Sequence, residues 1–122
     1  MNYEQALDTA ELADKEVLVL PDDIDNERKK KLEAKVEEYK TRLQRYSAEG
    51  ADVQSAKYQD AIVKMVLLGK LLDGGKISKR EVYDQVLGDL GYVNQHRLDM
   101  AFEVIQDYIS SGGVNTQGGT GF

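Results

Sequence analysis

Residues 53–72, VQSAKYQDAIVKMVLLGKLL, constrain the chain more than any other stretch. From Ala61 onward the segment is apolar on nearly every side, with Ile62, Val63, Met65, Val66, Leu67, Leu68, Leu71 and Leu72 broken only by the charges of Lys64 and Lys70. A helix with no polar face must be wrapped by other elements, because each side exposed to water loses the gain from burying it. The run is too short and too charged to cross a bilayer, which takes about 20 consecutive apolar residues. It therefore reads as the core helix of a small α-domain, and the rest of the chain must supply its cover.

The first cover lies upstream. Pro21-Asp22-Asp23 punctuates the chain, and Asp23 or Asp25 is placed to cap a helix running from about residue 25 to 47. In that helix Leu32, Val36, Tyr39, Leu43 and Tyr46 recur at alternating steps of four and three, which is a heptad seam with charged residues on the other faces. Two heptads fall short of the three or four that define a free coiled coil. The seam is expected to form one leg of an antiparallel hairpin, with sharing between chains as the alternative. Gly50 is a natural left-handed stop, and Asp52 is placed to cap the core helix.

The second cover lies downstream and is a repeat. Gly75-Lys76-Ile77-Ser78, followed by Glu81 and Val82, matches Gly91-Tyr92-Val93-Asn94, followed by Arg97 and Leu98, at a period of 16. Each unit reads as a glycine turn, a buried β-branched residue, an N-cap and an amphipathic helix. Ser78 with Glu81 has capping-box spacing. The first helix is expected to bury Val82, Val86, Leu87 and Leu90. The second is expected to bury Leu98, Ala101, Phe102, Ile105, Tyr108 and Ile109. Ile77 and Val93, at equivalent points, either pair or plug the core.

The ends differ in character. Residues 1–23 hold seven acids and one base, so almost all of the chain's net charge of −6 sits there. They read as an acidic arm, with a short helix over residues 2–16. Val17, Leu18, Val19 and Leu20 before Pro21 favour an extended conformation, packing on the domain or docking on a neighbour. Residues 111–122, with five glycines and no periodicity, read as a flexible tail whose Phe122 is a candidate contact. The expected architecture is all-α. A long helical hairpin (25–47 and 53–72) is followed by two shorter helices (78–89 and 94–109), the helical domain spanning residues 24–110.

Little in the pattern points to catalysis. There is no cysteine, and His96 is the only histidine, so neither a thiolate site nor a histidine metal cluster is expected. Gly69-Lys70 lacks the flanking residues of a phosphate-binding loop. Asp73 to Glu81 carries the turn glycine and terminal glutamate of a calcium loop, but Lys70, Leu72 and Gly74 stand where side-chain oxygens are needed. No cofactor is expected. Leu68-Gly69-Lys70-Leu71-Leu72, Gly75-Lys76-Ile77 and Leu90-Gly91-Tyr92-Val93 resemble the N-terminal repeats of type II secretion ATPases. Those alternate an LG-x-LL turn of helix with a G-x-I cap and bind a cyclic dinucleotide. Here the arginine that precedes LG in that family is replaced by Val66 and Leu67. The resemblance implies a shared way of building helical repeats rather than a shared ligand.

The expected function is noncatalytic: a helical protein-protein interaction or assembly protein, acting as a repeated subunit of a larger complex such as a phage or viral particle. Its contacts are a protein partner or self-association through Val17, Leu18, Val19, Leu20, Tyr39, Leu43, Tyr46 and Phe122. Neither a membrane nor a small-molecule substrate is expected. The acidic N-terminus does not read as a secretory signal or transit peptide, so the expected location is the cytoplasm, or a virion if virus-encoded. The alternative is a nucleic-acid-associated factor using Arg28, Lys29, Lys30 and Lys31, with Gln95, His96 and Arg97 in support. Glutamates interleave the basic run, which favours a solvated face.

Overall fold

The structure, a computed structural model, describes residues 16–110. The expectations for a helix near residues 2–16 and for the tail with Phe122 lie largely or wholly outside that range. The element order is β1 (Val17–Val19), α1 (Asn26–Ala48), α2 (Ala56–Gly74), β2 (Lys76–Ser78), α3 (Lys79–Leu90) and α4 (Gln95–Ser110). The fold is all-α as expected, with one addition, a two-stranded antiparallel ribbon.

Capping chemistry sets the helix boundaries. Asp25 accepts the backbone N–H of Arg28 at 2.7 Å and starts α1. The hairpin turn then uses Gly50 at φ +73°. The start of α2 departs from expectation, since Ser55 and not Asp52 is its N-cap. The Asp52 side chain accepts the N–H of Gln54 at 2.8 Å, and its carbonyl accepts the N–H and hydroxyl of Ser55. That local turn competes with helix for the same backbone groups, so residues 53–55 stay outside it.

α2 is wrapped as its composition demands. Ile62, Val63, Val66, Leu67, Leu68 and Leu71 are buried. α1 lies against one side through Leu32, Tyr39 and Leu43, with Val36 and Tyr46 half-buried. α4 covers another through Leu98, Ala101, Phe102, Ile105, Tyr108 and Ile109, the set its periodicity predicts. α3 contributes Val82 and Val86. Leu87 is the exception, 40% exposed, and Leu90 is only half-buried. α3 meets the core along a narrow stripe, and Leu87 lies about 100° around the helix from Val86.

The 16-residue repeat is a repeat of geometry. Gly75 and Gly91 are both left-handed C-caps, at φ +79° and +72°. Their N–H groups return to the carbonyls of Leu71 and Leu87, each at 2.8 Å. A β-carbon at that φ is disfavoured, which is why glycine stands at both. Ser78 closes a capping box with Glu81, and Asn94 accepts the N–H of Arg97 at 3.1 Å. Ile77 and Val93 do not pair with each other. Ile77 pairs with Leu18, in the register Val17↔Ser78, Leu18↔Ile77, Val19↔Lys76. Leu18 and Ile77 point inward and are buried. The segment before α1 thus closes the core over the first repeat.

A fully buried Gln59 joins the two covers. Its amide nitrogen donates to the carbonyls of Val53 at 2.9 Å and Tyr92 at 3.3 Å, and its oxygen accepts the N–H of Asn94 at 2.8 Å. Among the described residues no buried side-chain nitrogen or oxygen lacks a partner. Gln59→Leu keeps the volume but strands those three backbone groups. We predict a loss of about 2–3 kcal/mol in urea unfolding with the helical spectrum retained. A change below about 0.5 kcal/mol would show that the clamp contributes little.

Candidate functional site

The residues that sequence reasoning nominated are divided by the fold. Tyr39 and Leu43 are buried within this chain. Burial, reinforced by the nearby Asp60 carboxylate, pushes the Tyr39 phenol up to about 12. Tyr46 is half-buried, with its ring centroid 6.5 Å from that of Tyr58 and the Lys57 ammonium 4.9 Å away. In the N-terminal segment, Leu18 is core and Leu20 is half-buried. Val17 and Val19 are 45% and 58% exposed.

The basic run is also divided. The Arg28 guanidinium binds Asp25 at 3.0 Å and donates to the Ile109 carbonyl, at the end of α4, at 3.3 Å. The Arg28 backbone N–H, together with that guanidinium, holds the Asp25 carboxyl below its usual range. Lys31 lies 5.1 Å over the Tyr108 ring. Lys29 and Lys30 are exposed. Two of the four cations thus tie α1 to α4. His96 is exposed in the first turn of α4. No group of three or more histidine, aspartate or glutamate side chains among the described residues is arranged to hold a metal ion. No helix there is long and apolar enough to cross a membrane.

The feature that sequence reasoning missed is centred on Lys79. Only 6% of this residue is exposed. Its ammonium contacts Glu16 and binds Asp99 at 3.0 Å, 5.5 Å from the Phe102 ring centroid. Its backbone N–H donates to the Glu16 carbonyl at 2.8 Å. Burial works against the ammonium, but the hydrogen bonds to Glu16 and Asp99 outweigh it and raise the Lys79 pKa above the ordinary 10.5. In the sequence, Lys79 stands in a run of polar residues after a cap, and nothing marks it as buried.

Beside this cluster lies a cleft of about 440 Å³ between the start of β1 and α4, lined by Glu16, Val17, Leu18, Lys79, Asp99, Phe102, Glu103 and Gln106. Among the described residues the strand next to it has one neighbour, β2. The bonds from Lys79 N–H to Glu16 and from Leu20 N–H to Gly75 make those two pairs hydrogen-bonded positions of the ladder. Pairs alternate along an antiparallel ribbon, so Leu18 and Ile77 form the third. Val17 and Val19 therefore direct their N–H and C=O groups away from β2. This unpaired edge, two exposed valines and an acidic cleft form the candidate site.

No protein-family profile matches the chain, and no curated protein or solved structure is detectably similar to it.

The Lys79 pair geometry has a pH signature. A lysine whose folded pKa is raised lends stability that is fully present below its unfolded value of 10.5 and is lost as pH rises through the folded value. Lys79→Met keeps the apolar stem. It should cost about 1 kcal/mol in urea unfolding near neutral pH, and the gap from the parent should close as pH rises above 10.5 and through the folded value. A gap independent of pH would assign the role of Lys79 to packing alone.

Proposed function

We propose that this protein is a noncatalytic protein-interaction or assembly module, working as a unit of a larger complex. The observation that supports this best is the unpaired edge of β1. Its backbone donors and acceptors and two exposed valines stand beside an otherwise closed helical core. Free strand edges in natural proteins are usually blunted by lysine, proline or a bulge, and where they are not they serve as pairing sites. Val17–Val19 contains none of these guards. The seam on α1, a second nominated contact, is occupied by α2 of the same chain, which shifts the interaction reading toward β1.

The rival reading is nucleic-acid association through Arg28, Lys29, Lys30 and Lys31. Against it stand the engagement of Arg28 with Asp25 and Ile109, the position of Lys31 over Tyr108, and an overall charge of −6. Electrophoretic mobility shift with single- and double-stranded DNA and RNA separates the two. The interaction reading predicts no shift in about 50 mM salt, where phosphate contacts are strongest. A shift that collapses as salt is raised would overturn it.

A further inference from the structure

We propose that the free edge of β1 takes an extended segment bearing lysine or arginine, from a partner protein, as a third strand lying along the cleft beside α4. This rests on the protein-interaction reading above and names the partner chemistry of its site.

The ladder register supplies the backbone half of the recognition. With Glu16, Leu18 and Leu20 bonded toward β2, Val17 and Val19 offer two N–H donors and two C=O acceptors to an incoming strand. The side chains of Val17 and Val19 stand exposed, ready to pack against alternate residues of that strand.

The cleft supplies the charge half. Three carboxylates line it, Glu16, Asp99 and Glu103, against the single ammonium of Lys79. That ammonium is committed to Glu16 and Asp99 and nearly buried beneath them. Two negative charges are left in excess, and Glu103 on α4 has no ion pair among the described residues. An acidic strand would be repelled here, and a basic one drawn in.

The segments of this sequence that flank the described domain do not suit that role. Residues 1–15 carry Glu4, Asp8, Glu11 and Asp14 against Lys15, and residues 111–122 carry no charged side chain. The basic run around Arg28 is locked within α1. Pairing β1 with β1 of a second copy would bring two acidic clefts together, so the occupant is a different protein.

The test uses the full chain and a terminally blocked synthetic peptide of alternating lysine and valine. Two controls accompany it: a glutamate-valine counterpart, and a lysine-valine peptide N-methylated on the strand-pairing amides. The proposal predicts that the lysine-valine peptide slows hydrogen exchange at the Val17 and Val19 amides and leaves Leu18 unchanged. The N-methylated peptide should bind at least about tenfold more weakly, the loss expected for two or more missing hydrogen bonds. Glu103→Lys, on an exposed position, should weaken binding by about threefold to tenfold, and more so in low salt. Equal binding of the N-methylated peptide would overturn strand addition. Protection mapping to another surface, or no binding at about 1 mM, would overturn the site itself. Such a result alongside a negative mobility shift leaves the broader interaction reading standing, whereas nucleic-acid binding removes that reading independently of the peptide.

Discussion

Burial of a helix that lacks a polar side governs this molecule. α2 presents apolar groups around nearly its whole circumference, so no single partner helix suffices. α1 takes one flank, α4 a second, and α3 with the ribbon completes the enclosure. The hydrophobic gain is of the order of 2 kcal/mol for each large side chain removed from water, so leaving one flank open would cost most of the marginal stability of a domain this size. The chain therefore recruits a strand from ahead of α1, and Leu18 fills the place that helix packing leaves uncovered.

A three-residue strand covers the core with one side chain and leaves its outward edge unpaired among the described residues. Glu16, the residue leading into the strand, is fixed by its carbonyl to the Lys79 backbone and by its carboxylate to the Lys79 ammonium. Asp99 on α4 completes the cluster. The same contacts that pin the strand in place also gather carboxylates next to its free edge. On the proposed reading, stability and recognition draw on one set of residues.

The helical part of this architecture was legible in the sequence because its signals are local. Asp25, Ser78 and Gly50 act within a turn or two of their own positions, and the stripe on α4 repeats with the helical period. The period of 16 returned two equivalent glycine caps for the same reason. What escaped notice depends on distant pairing. Leu18 meets Ile77 across two helices, and nothing near either residue names the other. Lys79 looks like a solvated helix residue until Glu16 and Asp99 are brought to it. Gln59 sits among polar neighbours, and only the fold shows it clamping the second repeat's loop. Asp52 was placed as a cap because its type suits that role, and Ser55 lies three residues further on with the same competence. Leu87 was assigned to the core by composition, although α3 turns only one narrow stripe inward.

Native-state hydrogen exchange along α2 tests the enclosure most directly. If the helix is wrapped on all sides, the amides of residues 63–71 exchange only through global unfolding, and their opening free energy equals that of urea unfolding. Exchange of those amides through a lower-energy local opening, while α1 and α4 stay protected, would contradict the account.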